Sequence, residues 1–184
     1  MTLLATKTYT PQDLLDDPAL AGFELVNGQL KERAVSETSG AVAVAISTLL
    51  RNEAKKTREA TVYSSDAGYQ CFADPPNTVR FPDVSLIRAS RKCEVGTDPG
   101  FIQIPADLVV EVVSPGDRIK AVDDKVDEYL KAGFKLIWVV NPYRRHVHVY
   151  RRDGSVQLLS EREEITGESA LPSFRCKVGE FFDV

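Results

Sequence analysis

A chain of 184 residues is long enough for one domain with a full core, and 43% hydrophobic with 27% charged residues is the make-up of an ordinary globular fold. A net charge of -4 gives no overall basic field, which argues against indiscriminate nucleic-acid binding yet leaves room for a local basic cleft. Three scattered cysteines, Cys71, Cys93 and Cys176, form no C-x-x-C and no Cys/His cluster, so neither a structural zinc nor a secreted disulfide scaffold is expected. Met1 to Lys7 has no signal-peptide apolar stretch, and the longest apolar runs, such as Ala41 to Ile46, are too short to span a bilayer. The expectation is a cytoplasmic protein with residues 1–184 as a single domain.

Thr10-Pro11-Gln12-Asp13 reads as a helix start, with Thr10 as cap and Pro11 in the first turn. Asn27-Gly28 between two apolar-rich tetrapeptides predicts a hairpin over Phe23 to Glu32. Apolar residues at 42, 46, 49 and 50 predict a packed helix from Ser36 to Lys56, with a basic end at Arg51, Lys55, Lys56 and Arg58. Thr61-Val62-Tyr63, Gly68 to Phe72, Val84 to Arg88 and Leu108 to Val113 read as strands. Arg118 to Ala132 is an amphipathic helix whose buried stripe is Ile119, Val122, Val126, Tyr129 and Leu130, ended by Gly133. Leu136 to Val140 is a buried strand. His146 to Tyr150 alternates with period two and turns at Asp153-Gly154 into Ser155 to Leu159. The sum is an α/β fold with a mixed central β-sheet, flanking helices, an N-terminal hairpin and a C-terminal β-hairpin.

Glu111 stands inside the apolar run Ala106 to Val113, where an unpaired carboxylate costs several kcal/mol. Asp83 stands at the mouth of the apolar strand Val84 to Ile87. Two acids delivered by two core strands suit a divalent cation; equally, Glu111 could pair with an arginine and only support the fold. Lys125 falls on the border of the helix stripe. There its stem can lie along the core and its ammonium reach a pocket edge, or it can pair on the surface with Asp124 or Glu128. His146 and His148 share one strand face without further ligands. Arg88, Arg91 and Lys92 follow the Asp83 strand and are the preferred DNA contacts, ahead of the basic end of the long helix, with solvated charge as the alternative. No G-x-S-x-G, P-loop or H-E-x-x-H occurs.

Several stretches taken in order resemble one family: Phe23-Glu24-Leu25-Val26-Asn27-Gly28, Val79-Arg80-Phe81-Pro82-Asp83-Val84, Pro105 to Pro115, Lys125 to Gly133, Leu136 to Pro142, Val147 to Arg151 and Leu171 to Phe174. The chain, from about Thr8 to Phe182, is similar to the Uma-two family of restriction-endonuclease-like proteins in the PD-(D/E)XK nuclease superfamily. The resemblance implies Asp83 and Glu111 as ligands of Mg2+ or Mn2+, Lys125 as the catalytic lysine moved from the strand position held here by Val113, and Glu24 as an added carboxylate. It implies a metal-dependent endonuclease acting on DNA, and cutting both strands of a duplex favours a homodimer, with the Tyr150 to Leu159 hairpin as candidate edge. One position departs from the family: Ser39-Gly40 stands where a His-Gly pair is common. That departure and the acidic net charge favour a first alternative, a catalytically inactive nuclease-fold binding module; a second is a metal-dependent hydrolase of another phosphate-containing substrate.

Overall fold

The computed structural model describes residues 7–34, 36–95 and 100–184, so the reading of Met1 to Thr6 lies outside the described residues. Helix α1 (Pro11–Asp16) begins with a full capping box between Thr10 and Asp13. Strands β1 (Phe23–Val26) and β2 (Gln29–Glu32) pair antiparallel. Asn27 and Gly28 turn the corner with φ of 50° and 74°, the left-handed pair that a two-residue hairpin needs. A Cβ on Gly28 would also meet Thr8 Cγ2 at 2.4 Å. Leu25 exchanges backbone hydrogen bonds with Val79, which sets β1 against the segment leading into Asp83.

The long helix α2 (Glu37–Thr57) is capped by Ser36, and Arg58 closes it in the left-handed region. The central sheet has six strands in the order β3 (Ala60–Ser64), β4 (Val84–Arg88), β5 (Leu108–Val112), β6 (Leu136–Asn141), β7 (His146–Arg151) and β8 (Val156–Ser160). Only β5 and β6 run parallel, and helix α3 (Ile119–Ala132) is their crossover. A second hairpin, β9 (Glu164–Gly167) with β10 (Leu171–Lys177), and a closing 3₁₀ turn over Val178–Phe182 complete the chain.

Period-two alternation sorts the side chains of β5 onto two faces. Leu108, Val110 and Val112 join Val42, Ile46 and Leu50 of α2, with Trp138, Phe174 and Phe181, in one apolar cluster. Val109 and Val113 face α3 and join Val126, Tyr129, Ile137 and Phe134 in a second. The same parity sends Glu111 to the α3 face.

Two expectations fail. Gly68 to Phe72 forms no strand: Tyr69 makes single bridges to Arg80 and Ile102, because the chain passes between two segments too short to extend a ladder. Ile119 is 83% exposed: it sits in the first turn of α3, ahead of Val122, where the helix first meets the second apolar cluster.

Candidate active site

Helix α3 presents Lys125, Glu128 and Tyr129 on one face, at the i, i+3 and i+4 spacing that stacks side chains. Hairpin β1–β2 brings Glu24 to them, and the segment before β4 brings Arg80 and Asp83. The result is a continuous chain of charge-assisted hydrogen bonds and ion pairs. Arg80 Nη1 donates to Glu24 Oε2 at 2.7 Å, while its Nε and Nη2 donate to Glu128 Oε2 at 2.9 and 2.5 Å. Glu24 Oε1 accepts from the Phe81 backbone N–H at 3.0 Å and lies 3.1 Å from Lys125 Nζ. Lys125 Nζ donates to Glu111 Oε2 at 2.8 Å, and the Tyr129 hydroxyl donates to Glu111 Oε1 at 2.6 Å.

Asp83 is tied to the same place from the other strand. Its Oδ2 accepts from the Val112 backbone N–H at 2.7 Å, one residue beyond Glu111. Its Oδ1 has no protein donor among the described residues. Glu24, Arg33, Arg80, Asp83, Glu111 and Lys125 all line one cleft.

The electrostatics follow from crowding. Burial, reinforced by the nearby charges of Asp83 and Glu24, outweighs the pull of Lys125 and pushes the Glu111 carboxyl up to about 7. Burial also raises Asp83, against the opposing effects of the Val112 N–H, Lys125 and Arg33. Burial works against ionisation of Glu24 too, but Lys125 and Arg80 more than offset it and hold that carboxyl well below the usual range. Lys125, desolvated yet flanked by Glu111 and Glu24, has its pKa raised and stays an ammonium. Three carboxyl groups, Glu24, Glu111 and Glu128, share two cations, Arg80 and Lys125, and a fourth, Asp83, is held beside them by the Val112 N–H.

That excess of carboxylate is the test of fit for a cation. No group of three or more Asp, Glu, His or Cys side chains suited to an ion occurs among the described residues. Glu24 is committed to Arg80, Phe81 and Lys125, so it supports the site rather than adding a free ligand. Asp83 and Glu111 remain, two hard oxygen donors on one cleft, which suits Mg2+ or Mn2+ because these ions keep several waters.

Of the residues singled out in the sequence, the structure brings Glu24, Asp83, Glu111 and Lys125 together. It does not bring Arg88, Arg91 and Lys92 to them. Asp83 precedes β4 and Arg88 ends it, five residues or roughly 16 Å away at the rise of a strand. There Arg91 Nη1 lies 3.1 Å from buried Asp107, and the Arg88 guanidinium donates to the Ser169 carbonyl. Ser39 lies in the first turn of α2, buried and hydrogen-bonded to Ser36 and, at 2.9 Å, to Ser114. His146 and His148 line up on β7, outside the cleft.

Arg80, Glu128 and Tyr129 carry the network without having been singled out for it. An arginine between Val79 and Phe81, in a stretch otherwise apolar, was the available signal for Arg80. Glu128 takes Arg80 rather than Lys125, and Asp124 takes Lys120.

The sheet order, crossover and flanking helices define a restriction-endonuclease-like α/β fold. The fold is shared with the crystal structure of a "putative nuclease belonging to DUF820" from Anabaena variabilis ATCC 29413, with a TM-score of 0.78 over 94% of this chain and 97% of that one at 19% identity. A comparison with curated proteins returns no match. Residues 10–179 match the model of the Uma2 family, described as "Putative restriction endonuclease", and the chain belongs to that family. Family and fold together support a nuclease-like function. No helix of the described residues is long and apolar enough to cross a membrane.

Proposed function

We propose that this protein is a divalent-metal-dependent endonuclease that hydrolyses DNA phosphodiester bonds, with Asp83 and Glu111 as ligands of Mg2+ or Mn2+ and Lys125 as the catalytic ammonium. One observation carries the reading: the Lys125 ammonium bridges Glu111 and Glu24 in the cleft that Asp83 also lines.

A divalent cation supplies polarisation of the phosphate and lowers the pKa of bound water. The protein's own part follows from its hydrogen bonds. Glu111 must lose its proton to ligate, and Lys125 and Tyr129 each hold one of its oxygens, fixing its rotamer. An ammonium has three N–H bonds. Two partners on Lys125 leave one direction for the attacking water or a phosphoryl oxygen, where positive charge offsets the charge that builds during attack. Arg80 acts one step back, positioning Glu24, which positions Lys125.

The test is conversion of supercoiled plasmid by purified protein with Mg2+ or Mn2+. Cleavage should require the metal and fall at least about 100-fold in Glu111→Gln and in Lys125→Ala. Equal rates in wild type and both variants would remove the catalytic assignment. A second reading, a nuclease-fold binding module without turnover, is favoured by Ser39, which puts no titratable group where the family often has histidine. It predicts DNA binding without cleavage in the same assay.

The reading includes a homodimer. Strand β8 ends the sheet, its Val156–Ser160 segment carries no charge or proline, and Val156 and Leu158 are exposed, so the edge lacks the usual guards against pairing. Sedimentation should give a dimer that Leu158→Lys dissociates; a monomeric wild type at tens of micromolar would remove this part.

A further inference from the structure

Three hollows on the surface join end to end. The acid cleft shares Arg33, Ala34 and Asp83 with a second hollow, and the second shares Ser47 and Ser64 with a third. One groove therefore runs from the acids along α2 and the edge strand β3. Its α2 wall is a single helical stripe, Gly40, Val44, Ser47, Arg51 and Lys55, spaced three or four residues apart. Fifteen residues separate the ends of that stripe, about 22 Å at the helical rise.

The chemistry of the groove is unlike the rest of the surface. The chain has 27 acidic residues and a net charge of -4, yet past Asp83 no Asp or Glu lines the second or third hollow. Serine and threonine hydroxyls line it instead, and Arg51 and Lys55 stand exposed at its far end. Some cations elsewhere are taken up, Arg80 by two glutamates, Arg91 by Asp107 and Lys120 by Asp124, while others, such as Lys92 and Arg118, form no ion pair among the described residues, so what sets the groove apart is its lack of acids. Arg33, Arg51 and Lys55 form no ion pair among the described residues. Arg33 is braced over the Phe81 ring at 5.2 Å, beside Asp83. Uncompensated cations, hydroxyl donors and missing acids suit an extended polyanion. A path of about 22 Å is too long for one nucleotide, and at a duplex's axial rise of about 3.4 Å it corresponds to roughly six base steps.

We propose that this groove is the track of one nucleic-acid strand, with Arg33 holding the phosphate beside the acid cluster and Arg51 and Lys55 holding phosphates further along. The proposal rests on the nuclease reading and adds the direction in which the substrate leaves the site: along α2 and β3, away from the Arg88, Arg91 and Lys92 end of β4. A guanidinium grips two phosphate oxygens in one plane, which suits Arg33 to the position nearest the chemistry.

The test is anisotropy of a fluorescein-labelled DNA oligonucleotide, titrated with full-length protein in calcium buffer over a series of salt concentrations. The double variant Arg51→Glu/Lys55→Glu should bind at least about 10-fold more weakly. Its plot of log affinity against log salt should be shallower by about 1.4 to 1.8, because each phosphate that a cation ceases to neutralise lowers the slope by about 0.7–0.9. Arg33→Ala should weaken binding several-fold and lower the slope by about half as much, as one phosphate requires. Circular dichroism should keep the wild-type spectrum and thermal midpoints should fall by no more than about a few degrees, since the losses are a helix-end charge effect for Arg51 and Lys55 and one ring contact for Arg33, with no ion pair broken. Lys92→Glu is the comparator. Wild-type affinity and slope in the double variant, or weakened binding only in Lys92→Glu, overturns the track while leaving the nuclease reading intact. A wild type that binds no DNA brings down the nuclease reading and the track together.

Discussion

The two faces of the central sheet use buried side chains in opposite ways. Toward α2, Val42, Ile46 and Leu50 meet Leu86, Val110, Trp138 and Phe181 in a cluster without a charge. Toward α3 the apolar layer of Val109, Val126, Ile137 and Phe134 gives way at one end to Glu111, Lys125, Glu24 and Arg80. The first face supplies stability by burying apolar area. The second gives some of that back, because desolvated carboxylates repel one another and return only part of the cost through ion pairs. That cost falls on one end of one face, where the charges gather at the cleft.

The sharpest way to break the comparison is to remove one large side chain from each face. Arg80→Ala leaves Glu24 and Glu128 buried without their partner and should cost about 3–5 kcal/mol in chemical denaturation. Leu50→Ala leaves a cavity and should cost about 2–5 kcal/mol. The two differ in the cleft: Leu50→Ala should keep the wild-type rate of DNA cleavage, whereas Arg80→Ala, by freeing Glu24 and so misplacing Lys125, should lose most of it. Matching cleavage rates in the two variants would erase the distinction between the faces.

A smaller effect concerns pH. Glu111 has a raised pKa, so the folded protein holds its proton more tightly than the unfolded chain. Its contribution is fully favourable below the ordinary glutamate range and is lost as pH rises through about 7. Without metal, stability should therefore decline between about pH 5 and 7 from this group, and Glu111→Gln should flatten that slope. A ligand must be deprotonated, so Mn2+ should raise the thermal midpoint by several degrees at pH 8 and by less at pH 6. A shift independent of pH would point to a different site.

The smallest expected effect is that of Lys120→Ala, whose partner Asp124 is exposed like itself: stability and cleavage should both stay within error of wild type. A measurable drop in cleavage there would mean that Lys120, rather than Lys125 alone, reaches the acids.

Much of this was legible in the sequence because it depended on local rules. Asn27-Gly28 set the hairpin, Thr10-Pro11 the first cap, and an acid in an apolar run marked Glu111. Helix geometry put Lys125 at the stripe's border with a surface pair as the alternative, and it was the family resemblance that singled it out for the site. What was not legible depended on long-range assembly. Arg80 meets Glu24 from 56 residues away and Glu128 from 48 away, and no local pattern links them. Arg88, Arg91 and Lys92 follow Asp83 in sequence, but a strand separates the ends of its own segment, and the basic turn emerges at the far one. The helix end at Arg51 and Lys55 gains its relation to the acids only when α2 packs beside β3.

The central claim is that Asp83 and Glu111 hold one divalent cation beside Lys125, and a calorimetric titration with Mn2+ at pH 8 tests it most directly. The wild type should bind one ion per chain, Lys125→Ala should still bind one, and Asp83→Asn/Glu111→Gln should bind none while keeping the wild-type circular dichroism spectrum. Absence of binding in the wild type, or unchanged binding in the double variant, would contradict the account and leave the Glu111–Lys125 pair as a structural ion pair.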